Sequence, residues 1–127
     1  MPDVVVVTNN GLAITTNRIK GSGTEPNWVH WGTGVTAAAE ANTALVTPRA
    51  EARVSGTSTQ QTTNTTSDTY QVIGTLTAAS TSAAITEAGL FDASTAGNLY
   101  LRATFDPINV SVGDSIQFTI KVVYDQA

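Results

Sequence analysis

The chain has 127 residues, of which 41% are hydrophobic and only 13% charged, with a net charge of −4. That is about half the charged share of an ordinary globular domain, and the six Lys and Arg are scattered, which opposes a nucleic-acid partner that needs clustered cations. Cysteine is absent, so disulfides, thiol nucleophiles and cysteine metal ligands are excluded.

This length is read as one domain, residues 1–127. The chain opens on Val4, Val5, Val6 and Val7, a β-branched run closed by Asn9-Asn10-Gly11. That run is far short of the roughly 20 residues of a membrane span, and no basic segment followed by an apolar one suggests a signal peptide. The next piece, GLAITTNRIKG, reads two ways. As a short helix it has Asn10 as cap, Leu12, Thr15, Thr16 and Ile19 on one face, Arg18 and Lys20 in the last turn and Gly21 just beyond. As a strand it is the second arm of a hairpin turned at Asn10-Gly11. The agreement of start, stop and end charges favours the helix.

KGSGTEPN is read as a loop and NWVHWGTG as a short aromatic strand, with Trp28 and His30 on one face and Val29 and Trp31 on the other. VTAAAEANTALVTP is Ala-rich and suits a helical turn that ends at Pro48. Alternation predicts strands from Ala50 to Thr57 and from Tyr70 to Thr77. The Thr-rich piece between them, Ser55 to Thr69, has no large apolar residue in its middle and reads as an exposed loop or hairpin tip. Strands from Ala83 and from Asn98 are joined by the turn ASTAGN. The last strand, Ile116 to Tyr124, follows the Gly113-Asp114 turn and alternates Ile116, Phe118, Ile120, Val122 and Tyr124 on one face. Pro107 marks a bend or a sheet edge. The expected fold is mainly β: an antiparallel β-sandwich, jelly-roll-like, with at most one short N-terminal helix.

Glu87 and Asp92 are the natural candidates for a catalytic carboxylate pair. Five residues apart on a strand, they face opposite ways, whereas an acid–base pair must flank one reacting atom. Regular pairing of the two strands puts Glu87 with Ile85, Phe91, Leu99, Leu101 and Phe105, and places Thr86, Leu90, Tyr100, Arg102 and Thr104 on the other face. A carboxylate in apolar surroundings needs partners. Glu87 is therefore expected to accept backbone N–H bonds from a nearby loop, or to be turned aside by a bulge at Gly89. His30 has no second His or Cys with which to hold a metal. Gly32-Thr33-Gly34 and Gly21-Ser22-Gly23 lack the context of a phosphate-binding loop. No G-x-S-x-G elbow and no calcium-loop spacing occurs. The sequence thus offers no catalytic, cofactor-binding or metal site.

ITEAGLFDASTAGNLYLRATF with INVSVGDSIQFTIKVV, and NRIKGSGTEPNWVHWGTGVTAAAEANTAL upstream, resemble small virion proteins of tailed bacteriophages, of the head-decoration (cement) or tail-fibre-like kind. The most specific elements are Trp31-Gly32-Thr33-Gly34, Glu87-Ala88-Gly89-Leu90-Phe91 and Gly113-Asp114. The resemblance implies a β-sandwich that assembles in the virion, made in the host cytoplasm, and catalyses nothing. The leading expectation is a decoration protein that docks on the outer head surface, with copies of itself, a trimer among the arrangements, and the major capsid protein as partners. The alternative is a tail or fibre component with a tail protein as partner, and a third reading is a carbohydrate-binding module. Neither nucleic acid nor membrane is expected as a partner. Residues 1–31 are the expected assembly arm, with Val4–Val7 as an intermolecular strand and Trp28 and Trp31 as anchors. The competing reading makes Val4–Val7 a strand of the subunit's own sandwich.

Overall fold

A computed structural model describes residues 3–126; Met1 and Pro2, at the head of the expected 1–31 arm, and Ala127 lie outside the described residues. The elements run β1 (Val4–Val7), α1 (Asn9–Lys20), β2 (Trp28–Gly32), β3 (Val54–Ser55), β4 (Thr57–Gln61), β5 (Thr69–Thr77), β6 (Ala83–Phe91), β7 (Leu99–Val110) and β8 (Ser115–Val123). A five-stranded sheet has the order β1-β7-β6-β2-β3, and a three-stranded sheet the order β4-β5-β8. Every pairing is antiparallel. The main core lies between the sheets. It joins Val29, Trp31, Ile85, Leu90 and Leu101 of the larger sheet to Val72 and Leu76 of the smaller, with Phe118 and Ile120 packed against them. This is the β-sandwich-like arrangement with one N-terminal helix that the pattern predicts.

The alternation in β8 lies on an actual strand, and Ile116, Phe118, Ile120 and Val122 face the core. Val29 and Trp31 are fully buried on one face of β2, as the period of two requires. The Thr-rich stretch forms the β4–β5 hairpin and its tip, mostly exposed. At that tip Asp68 accepts the backbone N–H groups of Thr63, Asn64 and Thr65. These bonds, Thr65's first, hold its carboxyl below the usual range.

Three expectations need correction. The helix starts two residues earlier, capped by Thr8 instead of Asn10, and the Thr8 Oγ1 accepts the Gly11 N–H at 3.0 Å. Its inward face is Gly11 and Ile14, whereas Leu12 and Ile19 are 61% and 81% exposed. The cause is the approach of α1 to β7: a side chain at Gly11 would meet the Tyr100 carbonyl and Val7, so the helix rolls onto that glycine. Second, residues 33–53 form no helical turn and no Ala50–Thr57 strand; only Val54–Ser55 and Thr57–Gln61 pair. Third, the β6–β7 register shifts between Ile85 and Glu87 and again between Leu90 and Phe91. Those irregularities sort the faces anew. Leu90 and Tyr100 join Ile85 and Leu101 in the main core, while Phe91 and Leu99 form a second cluster with Leu45 and Trp28. Pro107 lies on the shifted part of β7, beyond Thr104, where pairing with β1 stops.

Helix propensity alone predicts that Gly11→Ala gains about 1 kcal/mol. Packing against Tyr100 reverses the sign, and the variant is expected to unfold at lower denaturant concentration than the wild type. An unchanged or higher midpoint would show that α1 does not sit this tightly on β7.

Candidate functional site: a buried ion pair beneath a long loop

Glu87 on β6 and Arg102 on β7 are both fully buried, and Arg102 Nε donates to Glu87 Oε1 at 2.9 Å. The regular register placed them on opposite faces; the shift between Leu90 and Phe91 brings them to the same one, with Arg102 opposite Gly89. Over them lies the segment that joins β2 to β3. Glu87 Oε2 accepts the backbone N–H groups of Gly34 and Thr47, each at 2.8 Å, and Oε1 accepts that of Val46 at 2.9 Å. The expectation that a nearby loop supplies N–H groups is met. Arg102 donates onward to the Thr36 carbonyl at 2.8 Å and to Asn42 Oδ1 at 3.2 Å. The neighbouring Thr86 hydroxyl donates to the Gly34 carbonyl at 2.8 Å.

The glycines of Trp31-Gly32-Thr33-Gly34 now have a reason. A side chain at Gly32 would collide with the Thr47 carbonyl and the Glu87 carboxylate, and one at Gly34 with that carboxylate and Val46. They are close-approach positions around a buried charge. Burial pushes the Glu87 carboxyl up, but the amides of Thr47, Val46 and Gly34 together with Arg102 outweigh it and hold the group below its ordinary value. A carboxylate fixed in that state, with its oxygens occupied, has no proton to give and no free lone pair aimed at a substrate.

A second carboxylate fastens the same segment further along. Arg49 and Glu51 pair through two bonds of 3.0 Å. Glu51 also accepts the Trp31 indole N–H at 3.1 Å and the Ala79 N–H at 3.2 Å, and Arg49 donates to the Thr81 carbonyl at 2.7 Å. Arg53 lies 3.6 Å over the Phe91 ring and donates to the carbonyls of Ala93 and Ala96.

The other sequence candidates are placed as follows. Asp92 closes the β6–β7 turn, accepting the Asn98 N–H at 2.7 Å. His30 bonds the Glu51 carbonyl at 2.8 Å. Trp31 is enclosed by its own subunit and serves the core, whereas Trp28 is half-buried against Phe91 and Leu99. Val4–Val7 pair with Leu101–Thr104 of the same chain, so the strand belongs to its own sheet on that side. Among the described residues no three His, Cys, Asp or Glu gather as a metal set.

The sequence reading passed over three tyrosines. Tyr100 and Tyr124 share a 2.7 Å hydroxyl contact, and Tyr70 donates to the Pro26 carbonyl at 2.8 Å. They line a groove of about 600 Å³ beside α1. Burial, with Glu25 beside it, pushes the Tyr70 hydroxyl far up, and burial and Tyr124 raise that of Tyr100 to about 12. Both hydroxyls stay protonated near neutral pH.

Arg102→Met leaves Glu87 buried without its cation and is expected to cost about 3–5 kcal/mol in chemical denaturation. Glu51 makes a separate prediction about pH. Burial raises its carboxyl, but the bonds to Ala79, Arg49, Ser80 and Trp31 lower it from 4.5 to about 2. The unfolded chain therefore takes up the proton first, and the stabilisation, complete above pH 4.5, is lost as pH falls towards about 2. Thermal melting of Glu51→Gln over that window is expected to show a shallower decline than the wild type. Equal slopes would remove Glu51 from the account.

No curated protein and no solved structure matches the chain. A family model described as podophage GP4 fiber I protein gp80 matches residues 8–124, from the cap of α1 to the tyrosine that follows β8. The match takes in both carboxylate clusters and the whole of the smaller sheet, and on it the chain belongs to this fiber I family and is a non-catalytic structural protein of a tailed-phage virion.

Proposed function

We propose that the protein is a component of the phage tail fibre, and that it acts as one domain through contacts with copies of itself and with a neighbouring tail protein. The observation that carries this reading is the fibre-family match over residues 8–124. It favours the fibre over the head-decoration role that the sequence suggested first, and a sandwich of this size serves a fibre equally well. The geometry supports a scaffold. The buried charges are spent on fastening a loop, and the surface carries few charges to keep copies apart. The assembly role of residues 1–31 is retained for Val4–Val7, whose second edge is unpaired within the described residues. Trp28 is the one half-exposed aromatic left to that region as an anchor.

Electron microscopy of virions decorated with a gold-labelled antibody against the protein tests the location. Label confined to the tail is expected. Label spread over the head surface would restore the decoration reading.

A further inference from the structure

The two sheets are closed against each other on one side only. There the chain itself crosses from β3 to β4 at Gly56, whose N–H donates to the Asn27 carbonyl at 2.7 Å. A side chain at Gly56 would meet Val72, so the crossing is tight. On the other side the larger sheet ends in β1 and the smaller in β8. Between those two edges a cleft of about 660 Å³ opens, and the core runs out into it. Leu101 and Phe105 of β7 line one wall, and Ile116, Phe118 and Ile120 of β8 the other. The Phe105 and Phe118 rings meet across it at 6.1 Å. At the mouth Val5 and Ile108 are 62% and 43% exposed. An apolar cleft flanked by two strand edges that are unpaired among the described residues is a ready template for added strands.

We propose that a second copy of this chain closes the cleft, the β1 edge of one copy pairing along the β8 edge of the next. Charge argues for a second copy. The β1 rim carries Asp3, and the β8 rim carries Lys121. The acidic rim of one molecule therefore matches the basic rim of another, while two like rims repel. The strands suit each other as well. Val4–Val7 is a β-branched run, and β8 offers the nine residues Ser115–Val123, so the shorter edge finds its full length on the longer one. The join makes one continuous sheet across the boundary and buries Val5 and Ile108. This names the partner within the fibre reading and rests on it. The test needs only purified protein, so its failure leaves the tail location to the labelling of virions.

Sedimentation of the full chain measures self-association, with circular dichroism confirming that each variant is folded. Lys121→Glu makes both rims acidic and is expected to weaken association about tenfold or more. Asp3→Lys combined with Lys121→Glu exchanges the signs and is expected to recover most of it. Since the chain has no Cys, a mixture of the single variants Asp3→Cys and Lys121→Cys reports contact directly, because any disulfide between them joins two molecules. A wild type that stays monomeric at its highest soluble concentration overturns the proposal. So does association that Lys121→Glu leaves unchanged, or a cleft that closes only when another virion protein is added.

Discussion

Glu87 and Arg102 meet at 2.9 Å in the interior, and the long connection between β2 and β3 is built around them. Residues 33–53 have almost no regular structure of their own, so their backbone groups need partners from elsewhere. The carboxylate supplies acceptors for Gly34, Val46 and Thr47, and the guanidinium supplies a donor for Thr36. Each charge also answers the desolvation of the other. An isolated carboxylate at this depth would take up a proton, and an isolated loop would peel away. With the loop in place, Leu45 covers Phe91 and Leu99, and the outer face of the larger sheet becomes a second small core.

The chain thus spends several of its few charges inside. Glu51 repeats the device with Arg49, and Arg53 lies on Phe91. What remains outside is largely Thr, Ser, Asn and Gln, a surface with little long-range repulsion. A structural virion protein has to pack against its neighbours, and a neutral polar exterior with an apolar cleft between β1 and β8 serves that end.

Much of the fold was legible because a period of two survives wherever a strand is regular. Ile116 to Val122, and Val29 with Trp31, show it directly. The C-terminal end of the helix was legible from Gly21 and the flanking cations, but its cap and its buried face were not. Gly11 turns inward because of a carbonyl on β7, ninety or so residues away in sequence, which no local pattern records. Glu87 was recognisable as a carboxylate that needs loop amides. Its cation was hidden, since a register shift adds residues to one strand without leaving a sign in composition. The one available hint was the pair of glycines after Trp31, which lack the context of a phosphate-binding loop and instead make room for the carboxylate. The tyrosine cluster was illegible for a similar reason: its members come from β5, β7 and the residue after β8.

Amide hydrogen exchange at Gly34, Val46 and Thr47 tests the central role of Glu87 most directly, comparing the wild type with Glu87→Gln. The account predicts that all three amides are protected in the wild type and lose protection together in the variant, while amides within β5 and β8 keep theirs. Rapid exchange of these amides in the wild type, or unchanged protection in the variant, would contradict it.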